Sequence, residues 1–161
     1  MVLSVIADQI TKYIAATSLK PIGSRPFIPG LIEFSYAENE GIAWGMLQGK
    51  GWLFIPISTI AVALVIFFMV KYRKDISKLL SLALGMIAGG GIGNQIDRIF
   101  NGYVVDFLNF QFIDFPVFNV ADCFVSVGFV FAVIAVIFFD RALIFEDKPK
   151  ADKNTAENKN D

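Results

Sequence analysis

Four apolar blocks, residues 1–16, 52–70, 79–100 and 118–139, take up about half of this 161-residue chain. Most are close to the roughly 20 residues that cross a hydrocarbon core of about 30 Å. The pattern predicts an all-α membrane protein with four transmembrane helices. Composition agrees: 55% of residues are hydrophobic and 18% charged, whereas soluble domains carry about 25% charged residues. The first block is short and has Asp8 near its middle, at a cost of about 2.5–3.5 kcal/mol unless the charge is paired or faces protein. A few further apolar residues are expected upstream. That stretch has no basic start and holds an acid within it, so it reads as a membrane helix and not as a secretory signal.

The chemistry open to the chain is narrow. It has no histidine, which removes histidine-based triads and histidine-ligated zinc sites. The one cysteine, Cys123, has no partner for an intrachain disulfide and no base to activate it, so it is expected to be a small buried filler. The net charge of −1 and the lack of a basic stripe argue against a nucleic-acid partner. No metal and no cofactor is expected, which leaves carboxylates, hydroxyls and amides.

Orientation follows from the basic residues in the short connections. Lys71, Arg73, Lys74 and Lys78 cluster between the second and third blocks, whereas residues 97–122 hold only Arg98. The former loop is predicted to be cytoplasmic, with both termini on the same side and residues 17–51 and 101–117 outside. The four-helix membrane domain is expected to span residues 1–140, and the polar cytoplasmic tail, residues 141–161, to be disordered. In the outer segment, alternation over residues 31–37 after the Pro26, Pro29, Gly30 turn cluster predicts a strand. A second is expected over residues 103–112, giving a small extracytoplasmic sheet on the outer leaflet.

Polar residues gather at that outer face. Gly85, Gly89 and Gly93 repeat every four residues and predict close helix packing. Beyond them Asn94, Asp97 and Arg98 share a helix face, where an Asp–Arg pair capping the span is one reading. Asn119 and Asp122 open the fourth block and fit a helix cap equally well. Asp8 and Lys12, one turn apart, read as a structural ion pair. Asp106 is harder to explain as structure, because an unpaired acid among Val104, Val105 and Phe107 is costly. With the predicted orientation, Asp106 and Asp122 meet at the outer interface. Two carboxylates in a partly dry pocket share one proton, so one activates water while the other polarises a carbonyl and protonates a leaving amine. The residues alone do not say which member holds the proton.

Five strings, in order, resemble the lipoprotein signal peptidases: Asp8-Gln9-Ile10-Thr11-Lys12, Asn39-Glu40-Gly41-Ile42-Ala43-Trp44, Gly89 through Arg98 (GGGIGNQIDR), Gly102-Tyr103-Val104-Val105-Asp106-Phe107 and Phe118-Asn119-Val120-Ala121-Asp122. The resemblance implies an aspartic endopeptidase of the bacterial plasma membrane. Such an enzyme removes the signal peptide of a diacylglyceryl-modified prolipoprotein, cutting before the lipidated cysteine. It implies Asp106 and Asp122 as the catalytic pair and Asn39, Asn94, Arg98 and Asn119 as the lining of a substrate and inhibitor pocket. Asp8, Lys12, Gly41 and Asp97 would support that pocket. Membrane lipids and the cyclic peptide globomycin are the other ligands it implies. Cys123 follows the second aspartate where the family more often has serine.

Other functional classes fit less well. An ion or proton carrier would place its acids near the midplane and show internal repeats, whereas only Asp8 is deep and no repeat is evident. A membrane scaffold would explain the glycine face but not two acids beside asparagines on one surface.

Overall fold

The computed structural model describes residues 1–41 and 51–140. The expected tail, residues 141–161, and the Ile42, Ala43 and Trp44 part of one motif lie outside the described residues. Four α-helices and a three-stranded sheet make up the fold: α1 (Val2–Ser18), β1 (Ser24–Ile28), β2 (Ile32–Asn39), α2 (Phe54–Lys71), α3 (Lys78–Phe100), β3 (Val104–Phe110) and α4 (Val120–Phe138). Among the described residues three helices, α2, α3 and α4, are long and apolar enough to cross a membrane.

The helices are arranged polar side in. On α1 the buried residues are Ser4, Asp8, Lys12 and Ala15, while Leu3 is 81% exposed and Ile6, Ile10 and Ile14 also face outward. Helix α2 buries no residue at all, and Ile57, Ile60, Leu64 and Phe67 are exposed along it. In water such surfaces would drive aggregation; in hydrocarbon they are the stable choice.

The glycines of α3 set how closely its neighbours approach. A Cβ at Gly89 would meet the backbone of Met1 and the side chain of Ser4, and one at Gly93 would strike the Asp8 carboxylate. The expected small-residue face thus receives α1. Gly90 points elsewhere, against the Ala121 carbonyl of α4. At the opposite end Ser77 caps α3 through Leu80 N (3.1 Å), and the Asp140 carboxylate beyond α4 accepts from Ser77 N (2.7 Å) and Ser77 Oγ (2.6 Å). That stitch ties the start of α3 to the end of α4.

The sheet is antiparallel, in the order β1-β2-β3. Strand β2 falls where alternation predicts it, and β3 lies within the second expected strand, residues 103–112. Strand β1 differs from expectation, because Pro26 was assigned to a turn cluster. It sits instead in an edge strand, where its missing N–H breaks no interior ladder and the register shifts beside it. The turn proper is Ile28-Pro29-Gly30-Leu31, closed by Leu31 N donating to Ile28 O (3.0 Å). Gly30 supplies the positive φ of 73° that the third position of a type II turn needs.

Gly90→Ala forces a methyl group against a backbone carbonyl and should lower stability by about 1–3 kcal/mol. Gly91→Ala meets only the tip of the Val62 side chain and should cost much less. Thermal unfolding of the two variants in detergent checks this ordering.

Candidate active site

The site is built where the C-terminal end of α3, strand β3 and the start of α4 converge. Asp106 lies on β3 between Val105 and Phe107, both part of a small apolar core with Ala15 of α1 and Leu19 just beyond it. It is 2% exposed. Its Oδ2 accepts from Asn39 Nδ2 at 2.9 Å and its Oδ1 from Asn119 Nδ2 at 2.6 Å. Asn39 reaches it because Ala37 is its cross-strand partner and residue 39 shares that face of β2. Burial pushes the Asp106 carboxyl up to about 6, helped by the negative charge of Asp122 and opposed by the two asparagine donors.

Asp122 occupies the third residue of α4. Its Oδ2 accepts from the Asn119 backbone N–H (3.1 Å), while Asn119 Oδ1 accepts from Asp122 N (3.0 Å), which closes a capping box. The helix cap read from the sequence is therefore present, and the same two residues also face Asp106. Asp122 Oδ1 accepts from Asn94 Nδ2 at 2.8 Å. All four oxygens of the two carboxylates receive an N–H, in a position where the helix dipole favours an anion on Asp122.

Each asparagine is held in one orientation by a further donor on its oxygen. Gly41 N donates to Asn39 Oδ1 (3.0 Å), Asp122 N to Asn119 Oδ1, and Lys12 Nζ to Asn94 Oδ1 (2.8 Å). Asn119 Nδ2 also donates to Asn94 Oδ1 at 3.0 Å. The amide nitrogens are left facing the acids.

Beneath this layer Lys12 Nζ is 3.0 Å from Asp8 Oδ2 and 3.1 Å from Asp97 Oδ2, with Lys12 3% and Asp8 0% exposed. Asp8 Oδ1 accepts from Ala121 N (2.9 Å) in the first turn of α4, and Asp97 Oδ2 from Val105 N (3.0 Å) on β3. Gln9, which the sequence reading passed over, joins Asp8, Asp97 and the Gly93 carbonyl. Only its place inside the first motif signalled it. The Asp97–Arg98 pair considered from the sequence is absent: Asp97 turns to Lys12. Among the described residues Arg98 forms no ion pair; its guanidinium lies 5.9 Å from the Phe54 ring centre and its buried Nε has no hydrogen-bond partner.

A cavity of about 560 Å³ opens on both carboxylates. Asn39, Arg98, Asp106 and Asp122 line it, with an apolar wall that includes Phe110, Phe115 and Val127. Asn94 and Asn119 were expected to line the pocket as well. They stand behind the carboxylates instead, because their N–H groups are directed into the acids. Cys123 was expected to be a buried filler; it is half-buried and lines the cavity with Ser126.

Fold and site together define a multi-pass membrane protein with two carboxylates, held by amides, lining a largely apolar cavity. The model of the family described as "Signal peptidase (SPase) II" matches residues 1–138, and the chain belongs to that family of peptidases. Among its relatives is the lipoprotein signal peptidase of Caldanaerobacter subterraneus subsp. tengcongensis, 47% identical over 83% of this chain and 90% of that one. The lipoprotein signal peptidase of Symbiobacterium thermophilum is 41% identical over 79% and 84%. A solved bacterial membrane enzyme, 34% identical, matches 93% of this chain and 90% of its own with a TM-score of 0.77. A second is 37% identical over 86% and 90%, with a TM-score of 0.75.

The raised Asp106 carboxyl predicts a pH dependence of stability. An acid whose folded value is about 6, against 3.8 for the free group, contributes stability that is fully present below about pH 4 and lost as pH rises through about 6. The loss is at most about 3 kcal/mol. Asp106→Asn should remove this part of the decline, as the difference between wild-type and variant unfolding midpoints in detergent from pH 4 to 6.5 will report.

Proposed function

We propose that this chain removes the signal peptide of diacylglyceryl-modified bacterial prolipoproteins, with Asp106 and Asp122 as its catalytic pair. The observation that carries the reading is that both acids open on one cavity, each fixed by amide donors and one of them pushed toward neutrality. Prolipoprotein signal peptides are the substrates, in keeping with relatives 40–47% identical over most of the chain.

In the reaction, Asp122 as the anion takes a proton from a water molecule while the water oxygen attacks the scissile carbonyl carbon. Asp106, protonated, donates to the carbonyl oxygen, so that a neutral gem-diol forms. Collapse of that intermediate breaks the C–N bond, the amine leaves with a proton from Asp122, and a diol proton returns to Asp106. Substrate filling the cavity displaces water and favours the neutral form of Asp106 further. Arg98, which has an unused donor at the cavity wall, contacts a backbone carbonyl near the cut, and the turn at Asn39 and Gly41 contacts the extended signal peptide. The apolar wall takes the acyl chains or apolar side chains, and a globomycin-type cyclic peptide occupies the same space.

The same reading includes four spans, with α1 crossing beside α3 and α4, both termini in the cytoplasm and the site near the outer face. The basic cluster at Lys71, Arg73, Lys74 and Lys78 supports that orientation. Its test is labelling: a cysteine in the 71–78 loop, in a Cys123→Ser background, should resist an impermeant thiol reagent outside intact spheroplasts, while one at position 49 should react. The reverse pattern would move the site to the cytoplasmic face.

Asp106→Asn and Asp122→Asn should each abolish release of the signal peptide from purified diacylated prolipoprotein while the protein stays folded. Full activity in either would remove the pair. Asn39→Ala and Arg98→Ala should weaken cleavage and globomycin binding together, by less than the aspartate changes, and unlipidated substrate should be cut poorly because it lacks anchoring in the bilayer.

A further inference from the structure

Among the described residues the buried cation, Lys12, lies outside the cavity, yet its hydrogen bonds lead to it. Lys12 Nζ donates to Asn94 Oδ1 (2.8 Å), and the same amide donates through Nδ2 to Asp122 Oδ1 (2.8 Å). An amide reversed end for end would set Nδ2 against the Lys12 ammonium and the Asn119 Nδ2, and Oδ1 against a carboxylate oxygen. Lys12 therefore excludes that orientation. A charged donor on a carbonyl oxygen also polarises the amide, which strengthens the N–H bond it makes on the far side.

We propose that Lys12 is a positioning residue for the reaction, acting through the Asn94 amide to hold and strengthen the hydrogen bond that this amide donates to Asp122. The proposal rests on the catalytic reading of Asp106 and Asp122. Lys12 makes its ion pairs and hydrogen bond with Asp8, Asp97 and Asn94, not with either carboxylate of the pair, and it is not among the residues lining the cavity. Its own surroundings account for the geometry: Asp8 on α1 and Asp97 on α3 flank the ammonium at 3.0 and 3.1 Å, and Asn94 takes the remaining direction. The other charged groups near the pair are Arg98 on α3, Asp106 on β3 and Asp122 on α4. The positive charge of Lys12 is also felt at Asp106, where it favours the anion, so its removal disturbs both members in the same direction.

A stabilising ion pair and a positioning group make different predictions. A double-mutant cycle in cleavage of diacylated prolipoprotein separates them. Asn94→Ala and Lys12→Met should each lower kcat by about ten- to a hundredfold, the size of one lost hydrogen bond to a charged group, with KM within about twofold. If Lys12 acts through Asn94, the double variant should be no slower than Asn94→Ala by more than about twofold. The acid limb of the kcat/KM profile, which reports the pair and not one acid, should move to higher pH in Lys12→Met, since a weaker N–H bond and a lost positive charge both favour the protonated pair. Lys12→Arg should recover part of the rate.

Because Lys12→Met leaves Asp8 and Asp97 facing each other, Asp8→Asn/Lys12→Met serves as the folding control; it keeps the net charge of the cluster unchanged. The same cycle applies to it. Losses that multiply, an acid limb that stays in place, or failure of both Lys12 forms to accumulate as folded protein would each overturn the proposal. Activity of Asp106→Asn and Asp122→Asn, by contrast, would overturn the catalytic reading itself, so the two failures are distinguishable.

Discussion

The Lys12 ammonium, enclosed by Asp8, Asp97 and Asn94, is the interaction on which the rest of the structure depends. Each partner of that cation carries a second bond to a different element. Asp8 takes the Ala121 N–H of α4, Asp97 takes the Val105 N–H of β3, and Asn94 reaches Asp122. One charge thus fixes α1, α3, α4 and the sheet relative to one another. Removing one member of a buried ion cluster typically costs about 3–5 kcal/mol, because the others are left uncompensated. The cluster carries two acids on one base, and the backbone donors from Ala121 and Val105 offset the excess negative charge.

The arrangement follows from the solvent. With hydrocarbon outside, burial of apolar side chains supplies little force between helices, so packing and hydrogen bonds must hold them. Gly89, Gly90 and Gly93 permit the close approach, and Gly93 in particular leaves the room that the Asp8 carboxylate fills. The polar residues are concentrated on a single inward seam that ends at the cavity. Fold stability and the preparation of the two acids are therefore served by one continuous network: lysine, asparagine, aspartate.

Much of this was legible in the sequence, for physical reasons that also explain the gaps. Helix positions followed from apolar length, and β2 from alternation beside turn residues. Strand β1 was missed because Pro26 signals a turn by composition, while an edge strand tolerates it. The Asp8–Lys12 pair was visible as a one-turn spacing on α1. Its third member, Asp97, was not, since partners on separate helices leave no spacing to read, and the adjacent Arg98 offered a nearer partner. Asn119 was open to two readings, cap or site, and its side chain does both through opposite ends of one amide. The Asp140–Ser77 stitch joins residues 63 apart in sequence and left no signal.

The account stands on the claim that Asp106 and Asp122 share one proton when the enzyme turns over. The direct measurement is kcat/KM for diacylated prolipoprotein as a function of pH in wild-type protein. A shared proton predicts a bell, with activity falling below the lower apparent pKa of the pair, where both are protonated, and above the upper, where both are ionised. The upper limb should lie at or above about 6, the value to which burial raises Asp106. A rate that rises through a single ionisation and stays flat into alkaline solution would mean that two carboxylates can be charged together during catalysis, and would contradict the account.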